Sequence, residues 1–520
     1  MKISFYGACR TVTGSCHMIE TEDTKLLVDC GMFQGSKDLK ELNYGEFSFS
    51  PNEIDYVILS HAHIDHSGLI PKLVKRGFKG TVISTKPTTD LCSIMLPDSG
   101  HIQELEVDRK NRKLARAGEP LIEPIYNHLD AKRALMQFST LDYNLKVDLT
   151  PTISVRFQDA GHILGSSIVE IWVKENSYQT KLVFTGDIGN LNQPIIKDPT
   201  VIDETDYLIM ETTYGNRLHK KLGNKQELLL QIIESTFFRG GNVIIPAFAV
   251  ERTQDILYYL GKLDLAGRLP DCKIYVDSPL AISASEIFKV SVNYFDEETK
   301  AAFDKIWQSP GILKRIVMTR SAEESKKLNE IKTNAIIISA SGMCDAGRIK
   351  HHLKHNLWRE ESSIVFVGYQ APGTLGRQII DGKKQVRIHG EQIAVNAQIH
   401  NLDGFSGHAD QNALLHWFDS FKQKPKEVFL VHGEPEGMDA FKNILLEKYD
   451  IEVYTPEINQ SFDLKHGKVK VYDVQGPSEK DAALVYANII NKLSELYRVN
   501  LERHEIKQLY EKLKTIEKTI

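Results

Sequence analysis

The stretch DYVILSHAHIDHSG, residues 55–68, decides the architecture. Its apolar run, Tyr56-Val57-Ile58-Leu59, is bounded by polar residues and reads as a buried strand. It runs straight into His61-Ala62-His63-Ile64-Asp65-His66 and then into a helical pattern, SGLIPKLVKRG. Four ligand-type side chains within six residues at a strand end do not build an apolar core. In extended backbone, alternate residues share a side, so His61 and His63 point together. Asp65 and His66, where the chain bends, turn toward a second point. Imidazole and carboxylate are the usual nitrogen and oxygen ligands of zinc, and one short motif cannot fill two tetrahedral sites.

Further donors are therefore expected at other strand ends. His162 lies in DAGHILGS after ISVRFQ, Asp187 ends KLVFTGD, and His432 ends EVFLVHGE. Each apolar run stops at a ligand-type residue beside a glycine that lets backbone approach the site.

The composition sets the frame. The chain has 520 residues, 42% hydrophobic and 26% charged, which excludes a disordered, collagenous or membrane-spanning chain. The start, MKISFYGACRTVTGSC, lacks the apolar core of a secretory signal. Six cysteines at 9, 16, 30, 92, 272 and 344 form no C-x-x-C pair and read as free thiols, which suits a reducing cytoplasm. The net charge of −5 argues at first sight against nucleic acid. Phosphate responds to the local field rather than to the sum, so the charge does not exclude it.

Along the chain the period of the pattern changes. Residues 1–84 read as strands and turns, about 85–146 as charged helix including RKNRKLAR at 109–116, and strands return up to YLIMETT. From about 215 to 395, NVIIPAF, KIYVDSP, RIVMTR, AIIISAS and SIVFVGYQ alternate with helical segments. That alternation predicts a separate, doubly wound parallel sheet. Strands ending in polar, His-bearing turns then resume, as if the α/β unit were inserted into the first domain. After Pro477-Ser478, apolar residues at Tyr486, Ile490, Leu493, Tyr497, Leu501, Ile506, Leu509, Leu513 and Ile516 form a helical stripe. It is expected to pack on the body, or else to make an oligomer contact.

HAHIDH, with Asp29 upstream in VDCG and His162 and Asp187 downstream, resembles the metallo-β-lactamase superfamily. METTYG at 210–215, GYQAPGTLGR at 368–377, GFSGHAD at 404–410 and VHGE at 431–434 are similar to its β-CASP branch of RNA- and DNA-processing nucleases. The resemblance covers residues 1 to about 460. It implies an αββα sandwich from residues 1–214 and 396–465 with an inserted β-CASP domain at 215–395; the tail is not covered, and its apolar stripe predicts a mostly helical extension at 466–520. The resemblance also implies two Zn²⁺. His61, His63 and His162 would hold one and Asp65, His66 and His432 the other, with Asp187 bridging and Asp29 fixing a ligand histidine. Glu211 and His408 would take the branch's acid and first-histidine positions, with His408 as general acid. His at 432 and Glu at 211 resemble the branch members that act on RNA. The activity implied is hydrolysis of single-stranded RNA, endonucleolytic first and 5′→3′ exonucleolytic second.

Substrate contacts are expected at Thr374 and Arg377, which open a helix, and at Ser406, which either binds phosphate or caps the next helix. Lys72, Lys75, Arg76 and Lys79 are candidates for an RNA path on a solvated helix. His351 and His355 stand at metal-like helical spacing without a third ligand, and His101, His128 and His219 read as surface or hydrogen-bonded histidines. Asp277-Ser278 reads as a helix cap. The alternatives are a hydrolase of small esters or thioesters and an inactive scaffold of RNA processing, against which none of the seven expected ligands is missing.

Overall fold

The computed structural model describes residues 1–219, 223–307, 309–371, 373–402, 406–465 and 468–472, with Tyr486, Ile490, Leu493, Ser494, Leu513 and Lys514 of the tail, all six helical. Two sheets stack face to face. One has eight strands, ordered Lys468–Tyr472, Ser461–Lys465, Lys2–Gly7, Cys16–Glu20, Lys25–Val28, Tyr56–Ile58, Thr81–Ser84 and Phe138–Thr140. The other has seven, ordered Glu452–Tyr454, Glu427–Val431, Tyr207–Glu211, Tyr178–Phe184, Ser167–Glu175, Ile153–Asp159 and Val147–Asp148.

The apolar runs follow from burial on both faces of these strands. Phe429 and Val431 join Phe5, Val28 and Ile58 in the layer between the sheets. Their neighbours Val428 and Leu430 meet Leu414 and Phe418 of the helix Gln411–Asp419 and Phe441 of the helix Pro435–Lys448. On the far side, Leu27, Val57 and Val82 pack with Leu73 of the helix Ile70–Lys75 and with Leu91 and Leu96 of the helix Lys86–Ala117. The layers run helix, sheet, sheet, helix.

Between Glu211 and Gln411 the chain builds a third sheet, six strands all parallel. The order is Ile316–Met318, Lys273–Val276, Ala335–Ser339, Val243–Pro246, Ser363–Phe366 and Gln398–Asn401. Ile245 and Ile338 pack on Leu257 and Leu260 of the helix Arg252–Leu265. Ile244, Ile337 and Phe366 pack on Leu353 of the helix Ile349–Asn356 and Ile379 of the helix Leu375–Ile380. Helices on both faces make the sheet doubly wound.

Two details differ from expectation. Gln398–Asn401 pairs with Ser363–Phe366, so the third sheet runs past residue 395. The segment after 465 opens with a strand, Lys468–Tyr472, antiparallel to Ser461–Lys465. The reason is period-two alternation: Phe462 sits opposite Val471 and Leu464 opposite Val469. Tyr497, Leu501, Ile506, Leu509 and Ile516 of the tail stripe, and with them the expected oligomer contact, lie outside the described residues. Among the described residues no helix is long and apolar enough to cross a membrane.

Candidate metal centre

The ligand-type residues all follow the carboxyl ends of strands in the two stacked sheets. Tyr56–Ile58 leads to His61, His63, Asp65 and His66; Ile153–Asp159 leads to His162; Tyr178–Phe184 leads to Asp187; Glu427–Val431 leads to His432. Backbone bonds pin the first cluster. Ser15 N–H donates to Asp65 O at 2.8 Å, Cys30 N–H to His66 O at 2.8 Å, and Met32 N–H to Ile64 O at 2.9 Å. Gly31 permits this approach, since a Cβ there would stand 1.6 Å from Asp65 O.

Four donor atoms converge on one point. His63 Nδ1 is 3.1 Å from His61 Nε2 and 3.2 Å from His162 Nε2, and Asp187 Oδ2 is 3.5 Å from both His61 Nε2 and His162 Nε2. Tetrahedral zinc with bonds of about 2.0–2.1 Å has donor-to-donor edges of roughly 3.3 Å, so the set fits that ion. Asp187 turns its other oxygen, Oδ1, to a second set. That oxygen is 3.3 Å from His66 Nε2, which is 3.2 Å from His432 Nε2, itself 3.6 Å from Asp65 Oδ2. Among the described residues, buried Asp187 Oδ1 faces the His66 and His432 ring nitrogens, at 3.3 and 3.5 Å, without a well-formed hydrogen bond, a cost that a cation would relieve.

Protonation suits ligation at most of these donors. At His66 burial is outweighed by Asp187 and Asp29, which hold the imidazole well above the usual histidine range, so a cation there would displace a proton. Burial, with the neighbouring imidazoles, holds His61 and His162 well below the usual histidine range, and burial takes His63 down to about 4. Burial pushes Asp65 up, but the hydrogen bond from His432 and the nearby His66 outweigh it and hold Asp65 at about 2. Asp187 is likewise held well below the carboxylate range, against its burial, by His432, His66 and His408.

Neighbours orient the rings. Asp29 Oδ2 is 2.7 Å from His66 Nδ1 and accepts from Ser60 Oγ at 2.8 Å, while Ser60 N–H donates to Asp29 Oδ1 at 2.7 Å. Ser60 Oγ also stands 3.0 Å from His61 Nδ1, and Thr213 Oγ1 stands 3.0 Å from His432 Nδ1. Ser60 and Thr213 carry no signal of their own beyond a hydroxyl flanking a motif. They become visible once the strands are paired.

Beside the donors, His408 Nδ1 lies 3.4 Å from Glu211 Oε1 and 3.9 Å from Asp187 Oδ2. Glu211 is fixed: Oε1 accepts from Ile188 N–H at 2.6 Å and Oε2 from Thr213 N–H at 3.2 Å. Burial disfavours the His408 cation, yet Glu211 and Asp187 outweigh it and raise the imidazole to about 9. The expected ligands, Asp29, Glu211 and His408 are thus brought to one place.

The expected substrate contacts fare differently. Thr374 Oγ1 caps its own helix, accepting from Arg377 N–H at 3.2 Å and donating to Ala371 O at 2.7 Å. Arg377 Nε pairs with Asp381 Oδ1 at 2.8 Å, and Ser406 Oγ lies buried 3.4 Å from Tyr214 Oη. Lys72 is not on a solvated face. It is buried and donates from Nζ to Asn43 O at 2.7 Å and also to Gly45 O. Arg76 pairs with Glu46 at 2.8 Å and Lys75 with Asp130 at 3.6 Å, while Lys79 is exposed. His219 is hydrogen-bonded, as expected, with its Nε2 2.9 Å from His408 O. His351 stacks on His389 with ring centroids 4.4 Å apart, and among the described residues neither joins a metal-sized group. Ser278 caps the helix Pro279–Val290.

Comparison with known proteins agrees with this geometry. The metallo-beta-lactamase superfamily model matches residues 10–96, the Beta-Casp domain model residues 253–379, and the Zn-dependent metallo-hydrolase RNA specificity domain model residues 392–456. The chain is 38% identical over 445 residues to Ribonuclease TTHA0252 of Thermus thermophilus, spanning 86% of this chain and 96% of the relative. It is 31% identical over 466 residues to the transcription termination factor FttA of Methanocaldococcus jannaschii, spanning 88% and 70%. A solved protein of unknown function from Enterococcus faecalis V583 shares the fold, with TM-score 0.51 and 16% identity over 88% of this chain and 99% of that one. With the donors at strand ends of a two-sheet sandwich and a doubly wound insert in its second half, the chain belongs to the β-CASP branch of the metallo-β-lactamase superfamily.

Proposed function

We propose that the protein is a dizinc endoribonuclease that hydrolyses phosphodiester bonds of single-stranded RNA. The observation that carries the reading is the double-faced carboxylate of Asp187. Its Oδ2 faces His61 and His162 at 3.5 Å and its Oδ1 faces His66 at 3.3 Å. His61, His63 and His162 would hold one zinc, Asp65, His66 and His432 the other, and Asp187 would serve both. When bound, such a pair supplies Lewis acidity toward phosphoryl oxygens and lowers the pKa of water.

The chain's own groups do the rest. Asp29 keeps the proton of His66 on Nδ1 and frees Nε2 to ligate. Glu211 holds the proton of His408 on Nδ1 and leaves its Nε2–H to protonate the departing alkoxide oxygen. The relatives' names, a ribonuclease and a transcription termination factor, support RNA as substrate, as does the RNA-specificity model.

The test is incubation of zinc-loaded protein with end-labelled RNA and DNA of one sequence. Internal RNA cuts, intact DNA and cutting slowed by about 10²- to 10⁴-fold in His408→Ala are expected. Brisk hydrolysis of a thioester or lactone with RNA left intact would overturn the reading.

A further inference from the structure

The GYQAPGTLGR motif commits Thr374 and Arg377 to its own turn, but it leaves Tyr369 37% exposed. Tyr369 follows the carboxyl end of Ser363–Phe366, and Phe248, 42% exposed, follows that of Val243–Pro246. These two strands are neighbours in the inserted sheet, so the two aromatics share its carboxyl edge. That edge abuts the metal centre. At the start of the helix that follows Phe248, Arg252 places a guanidinium nitrogen 3.3 Å from where a Cβ on Gly407 would sit, next to His408.

Ring contacts lead from His408 outward. The Tyr214 ring lies 5.9 Å from His408 and 6.3 Å from Tyr369, edge-on to both, and the Arg217 guanidinium sits 5.5 Å over the Tyr369 ring. The Phe248 ring lies on glycine backbone. A Cβ on Gly342 would meet it at 2.9 Å, and one on Gly368 would come within 3.9 Å. Gln370 Nε2 holds the two supporting loops together, donating to Gly342 O at 2.9 Å and Gly368 O at 3.2 Å. Both aromatics are thus exposed; Phe248 is backed by glycine backbone and Tyr369 lies beside the Arg217 cation. Exposed aromatics beside arginine are how proteins hold unpaired bases, whose faces stack whatever the sequence.

We propose that Tyr369 and Phe248, with Arg217, form a base-stacking subsite for single-stranded RNA on the inserted-domain side of the cleft. The inference rests on the RNA-cleaving reading of the metal centre and adds how the strand is gripped. The two ring steps from His408 to Tyr369 match a few nucleotides of a stacked strand, at about 3.4 Å each. Bases already paired in a duplex present no free face, so the subsite selects single strands.

The test measures cleavage of an RNA carrying one abasic nucleotide, moved through the four positions on either side of the cut. Wild type, Tyr369→Ala, Tyr369→Trp and Phe248→Ala are compared, with Phe238→Ala as an exposed-aromatic control at the end of the helix Lys225–Phe238, toward the sheet's opposite edge. Tyr369→Ala is expected to raise KM by about 5- to 150-fold. Tyr369→Trp should restore it, and one abasic position should impose the same loss on wild type but no further loss on Tyr369→Ala. Zinc content checks that each variant keeps its centre. If wild type cleaves RNA yet every abasic substrate and both alanine variants match the unmodified pair, the subsite is refuted while the ribonuclease reading stands. If wild type leaves RNA uncut, both fall.

Discussion

His408 Nδ1 faces Glu211 Oε1 at 3.4 Å, and Glu211 has no freedom to leave because its two oxygens accept from Ile188 and Thr213 backbone N–H groups. The carboxylate raises the imidazole to about 9 against its burial, so the acid form predominates at neutral pH. A group raised in this way loses its proton as pH rises. Cations beside Asp187 would lower the value, so the alkaline limb of cleavage should fall at or below pH 9. His408→Ala should lose about 10²- to 10⁴-fold in kcat and lack that limb. Glu211→Gln should shift it to lower pH. The pH profile of kcat under single-turnover conditions checks both.

Asp29 reaches the centre only through His66 Nδ1, at 2.7 Å, and through Ser60. Removing such a partner frees the ring to rotate and lowers its basicity. Asp29→Ala should weaken zinc binding by about 10- to 100-fold. Competition against a chelator measures it, and an unchanged affinity would remove Asp29 from the account.

In the inserted domain, Asp277 is buried at the end of Lys273–Val276 and accepts from four side chains. They are His352 Nε2 at 2.6 Å, Ser325 at 2.6 Å, Thr319 at 2.6 Å and Arg348 at 2.7 Å. Burial raises the carboxyl, but these bonds outweigh it and hold it well below its usual range. A depressed carboxylate contributes stability above its unfolded value, about 3.9, and that stability is lost as pH falls below it. Asp277→Asn should destabilise the fold at pH 7 by on the order of 3 kcal/mol, read as a lower urea midpoint, with a smaller loss at pH 3. An equal loss at both pH values would contradict the assignment.

The sandwich was legible because strands buried on both faces must be apolar throughout, and because the runs ending at His61, Asp187 and His432 stop at ligand-type residues. The insert announced itself by its change of period. What stayed hidden is made by pairing distant strands. Glu211 sits opposite Val431 in parallel register, and only that pairing brings Thr213 to His432. Lys72 reads as a surface lysine because composition cannot show that the loop at 43–45 folds over it. Arg377 reads as a phosphate contact until Asp381, four residues on, is seen to occupy it. The aromatic edge of the insert was passed over because Phe248 and Tyr369 end apolar runs and look like core.

The central claim is that Asp187 joins two zinc sites into one phosphodiesterase centre. The most direct measurement is the rate of RNA cleavage as zinc is titrated into metal-free protein, with bound zinc counted on the same samples. The account predicts little cleavage after one equivalent, full rate after two, and none at either point for Asp187→Ala. Full rate with a single zinc, or a wild-type rate from Asp187→Ala, would contradict it.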